Sequence, residues 1–191
     1  MARYKILSDE ANTIVIDGAD GAKHTLHRIE ATVTFKKWES IGKAYMVNAG
    51  DVGGYIESEN NLLQDSTAWV HGDAKVYGNA KIFEDGIVTG TAEVYGDSEV
   101  FGLSTVTGNS QVYGDARIYD NAYIGENAQV SGSTWVFGKA RVLGTAVVSG
   151  DTWLFDSAII KGNANISGTN KIFGNVVIGN NSSLSGDNVL S

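Results

Sequence analysis

Residues 74–97 read AKVYGNAKIFEDGIVTGTAEVYGD, four consecutive copies of a six-residue unit whose most regular form is Ala-x-Val-x-Gly-Asp. An aliphatic residue recurs at every sixth position from Val70 to Leu190, 21 times in 21 places without an insertion. The position two before it holds Ala, Ser, Thr or Gly in 18 of 21 cases, and the position two after it holds Gly in 15 of 20. Residues two apart on an extended chain point the same way, so the small residue and the aliphatic share one side of a short strand. Gly followed by Asp or Asn supplies a tight turn, because Gly tolerates positive φ and Asx side chains brace turns locally. A three-residue strand cannot bury its own apolar side, but stacked copies about 4.8 Å apart can. A helix is excluded, since apolar residues six apart scatter around its surface and this density of Gly breaks it.

A longer period lies over the first. Taking every third unit, the residue after the aliphatic is Phe83, Phe101, Tyr119, Phe137, Phe155 and Phe173. A second third runs Tyr77, Tyr95, Tyr113 and then Ser131, Ser149, Ser167, Ser185, and the turn residues Glu84, Asp120 and Asp156 keep the phase of the first column. The coil is therefore 18 residues with three faces, and about seven coils fit. The expected class is all-β, a parallel β-helix (residues 65–191) behind a small N-terminal β cap and irregular first coil (residues 1–64).

Residues 65–190 resemble the hexapeptide-repeat proteins, as in the segment Ile124-Gly125-Glu126-Asn127-Ala128-Gln129-Val130. That resemblance implies a left-handed helix of triangular section, and relatives that are commonly trimers. The stretch Gly50-Asp51-Val52-Gly53-Gly54-Tyr55-Ile56-Glu57-Ser58-Glu59-Asn60-Asn61-Leu62, followed by Ala68-Trp69-Val70, resembles the entry segment of the YdcK-like family of bacteria and prophages. Members of that family are often labelled acyltransferases, which implies acyl-CoA as a substrate and a His as general base.

Within the cap, Tyr4 to Leu7, Thr13 to Ile16 and Thr25 to Phe35 read as strands, with turns at Asp17-Gly18 and Asp20-Gly21. Thr32-Val33-Thr34-Phe35 alternates as a half-buried strand would, and Gly50-Asp51-Val52-Gly53-Gly54 reads as the turn entering the solenoid. The latter is no phosphate loop, because it lacks the Lys and the helix that follows one.

The composition narrows function further. With no Cys, the chain has no disulfide, thiolate nucleophile or Cys-ligated metal. A formal charge of −8 argues against nucleic acid as partner, since nothing replaces its counterions. No apolar run approaches the roughly 18 residues of a membrane span, and MARYKILSDE is not a signal peptide, so a cytoplasmic protein is expected.

Chemistry-bearing residues are few. His24, His27 and His71 are the only histidines. The first two sit three apart on a strand and face opposite ways, which leaves His71, beside the cap junction, as the candidate general base. Asp97 and Asp115 lie one coil apart in one corner column and are the candidate oxygen ligands of a metal. No cofactor is expected. The richer signal is apolar residues at outward positions: Trp135, Phe137, Trp153 and Phe155 on one side, Tyr123, Ile159, Ile87, Leu143 and Val177 on another. The regular frame also runs to Leu190-Ser191, which would leave the last coil uncovered. Two readings follow: a non-catalytic oligomeric scaffold or protein-binding module, with a trimer favoured, or an acyl-CoA-dependent acyltransferase.

Overall fold

The computed structural model describes residues 2–19, 21–38, 42 and 44–191. Asp20, and with it half of the expected Asp20-Gly21 turn, lies outside the described residues. Six strands precede the repeat: β1 (Tyr4–Leu7), β2 (Thr13–Asp17), β3 (Lys23–Ala31), β4 (Phe35–Trp38), β5 (Ala44–Val47) and β6 (Val52–Ile56). From Trp69 onward a short strand recurs every six residues, and each pairs in parallel with the strand 18 residues away. The result is a parallel β-solenoid with three faces. The first face carries Trp69-Val70, Ile87-Val88 and so on to Val177-Ile178, seven strands in all. The third face, from Lys81-Ile82 to Asp187–Leu190, also has seven. The second begins one rung earlier, because β6 pairs in parallel with Lys75-Val76. A bridge from Leu62 to Ile82 extends the third face in the same way, so residues 52–62 already form a partial coil.

The aliphatic column and its small partner fill the interior: Val70, Val76, Ile82 and their successors through Ile172 are buried with Ala74, Ala80, Ala92 and the like. Where the small position holds a hydroxyl, it bonds inside the coil, as Ser98 Oγ does to Tyr95 O and Thr134 Oγ1 to Ser131 O. Asn170, 1% exposed, donates to Ser167 O and to Thr152 Oγ1, and accepts from Asn188.

All twenty turn positions between Gly72 and Gly186 have positive φ, including the five that are not Gly: Glu84, Asp120, Glu126, Asp156 and Asn180. In no corner column do two of these five stand on successive coils. Backbones of adjacent turns nearly touch, so a Cβ on Gly108 would lie 2.5 Å from Glu126 O. At the corner between third and first faces, acid alternates with Gly, and each acid caps the N–H of the Gly one coil on. Gly102 N donates to Glu84, Gly138 N to Asp120 and Gly174 N to Asp156. These acids are tied to the backbone of the fold.

Three expectations about the cap are corrected. β3 ends at Ala31 and a bend precedes β4, because Thr32 N and Oγ1 turn away to bond Arg3 O and Ala2 O. Gly53 and Gly54 belong to β6, and only Gly50 makes the turn. The two glycines are there because β6 lies directly on the first coil, where a Cβ would stand 2.6 Å from Val70 O or 2.7 Å from Ala74 O. Ile87 is fully buried rather than on the surface; the cap runs down the solenoid's sides as well as over its end, and its Lys37 reaches Asp85, two residues before Ile87.

Two hairpins do this. The β2–β3 hairpin lays Leu26, Ile14 and Ile16 over the corner of Tyr77 and Tyr95, and His24 packs on Tyr77 at 4.7 Å. The β4–β5 hairpin covers the top of the first face, with Phe35 edge-on to Trp69 at 5.6 Å and Tyr45 against His71 at 5.0 Å. Arg28 ties the two parts together, donating to Gly53 O, Gly72 O and Asp73 while lying over the Tyr55 ring.

Candidate functional site

In-register stacking along the solenoid turns each outward column into a ladder. Rings of the column from Phe83 to Phe173 stack at 4.7–5.0 Å with planes within 8° of parallel. Trp135 and Trp153 are partners on adjacent rungs of the third face and stack at 5.1 Å. Arg117 closes one open face of the pair, 5.3 Å from Trp135, and Lys171 closes the other, 5.2 Å from Trp153. Between its end rings, Phe83 and Phe173, the Phe ladder thus consumes its own ring faces, and the ladders offer a ridge of half-buried ring edges.

The Phe ladder stands at the corner between third and first faces, and Tyr123, Arg141, Ile159 and Val177 continue the surface onto the first face. The residues Trp135, Phe137, Trp153, Phe155, Tyr123 and Ile159 therefore form one strip around a corner. Arg141 crosses the Tyr123 ring at 5.1 Å, and its Nε is buried without a hydrogen-bond partner. The other aromatic corner, Tyr77 to Tyr113, has the β2–β3 hairpin on it, with Tyr77 fully buried and Tyr95 7% exposed.

His71 is half-buried between Tyr45 and Trp69, and it lines an open cleft of about 340 Å³ with Tyr45, Gly72 and Thr89. Its Nε2 is buried with no hydrogen-bond partner. Burial pushes its pKa down to about 4; Asp51 opposes this and the Lys37 charge adds to it. A general base works best with a pKa near the working pH, so a base this weak is poorly matched to activating a hydroxyl at neutral pH. His24 bonds Glu57 at 2.9 Å and His27 meets Thr13 Oγ1 at 2.9 Å, so the three histidines stand in separate environments.

Asp97 and Asp115 are both exposed at their corner, and Asp97 accepts a hydrogen bond from Asn79 of the previous coil at 2.9 Å. Among the described residues no group of three or more His, Cys, Asp or Glu is placed to hold a metal ion. A larger cleft, about 690 Å³, is lined by Ser58, Asn60, Asn79, Lys81, Asp97 and Glu99, with no aromatic platform. No described helix is long and apolar enough to cross a membrane.

Sequence reasoning missed β4, β5 and the fully buried Lys37. The signal was present: Phe35-Lys36-Lys37-Trp38 and Ala44-Tyr45-Met46-Val47 alternate, with Phe35, Lys37, Tyr45 and Val47 inward and Lys36 and Met46 outward. A Lys at an inward position hid the pattern. No protein-family model matches the chain, and no curated protein does.

Proposed function

We propose that the protein is a non-catalytic interaction module that assembles with copies of itself through the corner between the third and first faces. The observation that carries this is the contrast between its two aromatic corners. One is covered by the chain's own hairpin; the other, larger one has none of the described elements over its lower coils. A ridge of ring edges whose faces are stacked on one another along its length suits packing against a flat sheet, whereas a nucleic-acid base or a sugar needs a face to stack on. The charges fit a second copy. Arg141 sits among apolar neighbours, and this acidic chain carries Asp120, Glu126 and Asp156 exposed on nearby turns. Five rung steps of about 4.8 Å, with some 10 Å of each flanking face, give roughly 500 Å² per copy. That is small for one dimer contact; in a three-fold ring the two flanks of the corner meet two different neighbours and all three strips close on one axis, so a trimer is the assembly proposed. The similarity of residues 50–70 to the YdcK-like entry segment belongs to this reading and adds no chemistry to it.

Light scattering at about 50 μM, a concentration that populates micromolar complexes, should give three times the 20.2 kDa chain mass. Trp135→Lys with Trp153→Lys should return the mass to one chain and leave the solenoid folded. A monomeric wild type, or a double variant with full oligomer mass, refutes the interface. Acetyl-CoA tests the acyltransferase alternative: ligand at 100 times its Kd would add about 2.7 kcal/mol of stability, and no thermal shift is expected.

A further inference from the structure

The underside of the β4–β5 hairpin is built unlike the rest of the core. Four side chains face the solenoid, Phe35, Lys37, Tyr45 and Val47, and one of them is a cation. Lys37 is 0% exposed, donates at 2.8 Å to Asp85 O, and has the Asp85 carboxylate at 3.6 Å. That carboxylate is itself 45% exposed and shared with Thr67. Across from Lys37, Tyr45 rests on His71, whose buried Nε2 has neither donor nor acceptor opposite it. Trp69 Nε1, also under the hairpin, is buried without a partner. Unpaired buried polar atoms weaken a contact, and two of them, together with a buried cation, meet under eight strand residues.

We propose that the β4–β5 hairpin is an acid-released strap, which lies on the first face while His71 is neutral and lifts when His71 takes a second proton, baring Trp69 and Ile87. The imidazolium carries N–H donors on both ring nitrogens, so Nε2 would be a buried donor with no acceptor, on a ring that also feels the Lys37 charge. The charged groups that act on the two residues are Asp85 and Arg3 on Lys37, and Asp51 and Lys37 on His71, while Arg28 and Asp73 pair with each other next to His71, at Gly72 and Asp73. With the strap down, His71 has a pKa of about 4 in place of the ordinary 6.5. The docked form therefore binds fewer protons between those values, and the His71 contribution to docking is complete above pH 6.5 and falls as the pH drops toward 4. Lys37 acts in the same sense at higher pH. Burial lowers its pKa to about 8, opposed by Asp85, so docking tightens further only as the pH rises from 8 toward 10.5. Strap release would extend the apolar strip from Tyr123 up the first face, but the inference stands on the hairpin alone and holds for a monomer.

Amide hydrogen exchange of the full chain, corrected for the intrinsic pH dependence, reads the strap directly. Between pH 7 and pH 4.5, protection of the amides in Phe35–Trp38 and Ala44–Val47 should fall by roughly 60-fold, the ratio set by those two His71 pKa values. Rungs such as Gln111-Val112 and Gln129-Val130 should keep theirs. Unchanged hairpin protection at pH 4.5, or an equal loss in the rungs, overturns the proposal. In His71→Phe the acid-dependent loss should vanish; if it persists, His71 is not the trigger and the proposal fails. Lys37→Met, which needs no change at His71, should raise hairpin protection at pH 7 by roughly tenfold or more. A drop in its place would make Lys37 the anchor of the strap and overturn its reading as a weak point. Chain mass measured in the same samples separates this outcome from failure of the trimer.

Discussion

Gly150→Ala tests whether the solenoid is held together by close backbone stacking at its corners. Gly150 has φ +82°, and a Cβ there would stand 2.4 Å from Gly168 O and 2.7 Å from Gly168 N on the next coil. Two costs add. A non-Gly residue in the left-handed region loses about 1–2 kcal/mol. The clash then forces the coils apart by several tenths of an ångström at Asp151 N→Gly168 O, a 2.9 Å bond, and losing that bond costs about 1 kcal/mol. Together the expected loss is roughly 2–3 kcal/mol, and disturbed packing below the turn adds to it. Gly78→Ala is the matched control. It has φ +66° in the same corner column, but its Cβ would meet Gly96 N at 3.3 Å, so the neighbour need give only slightly. Its loss should stay near about 1–2 kcal/mol. Urea unfolding followed by far-UV circular dichroism measures both, with the slope compared to wild type, because a stack of coils can fray without unfolding as one unit. If Gly150→Ala costs no more than Gly78→Ala, coil-to-coil backbone contact does not limit what the turns accept.

Two further changes probe the interior. Val112 is fully buried between Val94 and Val130, and Val112→Asp should cost several kcal/mol and prevent folding; a soluble variant with unchanged melting contradicts the inward assignment. Asn170→Ala removes a side chain that joins Thr152 to Asn188, leaving Thr152 Oγ1 short of one donor and Asn188 of its acceptor. About 1–3 kcal/mol should be lost, read as a lower urea midpoint, and Asn170→Ala at wild-type stability would show the internal Asn pair to be idle.

The sequence by itself determined the solenoid. Period six set which residues face inward, period 18 set the three faces, and both survive because every coil repeats one local conformation. The twenty positive-φ turns show why: the backbone demands the same dihedrals at each corner, and Gly, or an isolated acid or Asn, satisfies them from sequence alone. The aromatic columns were legible for the same reason, since a residue's partner stands a fixed 18 positions away. Tertiary structure alone decided what covers them. The cap has no repeat, and its strands find partners by long-range contacts: β3 across β6, Phe35 on Trp69, Lys37 at Asp85. Nothing local could show that Ile87 would be buried, that Gly53 and Gly54 would lie against the first coil, or that His71 would end between two aromatic rings. Periodicity predicts a contact only when both partners obey it, and the cap obeys none.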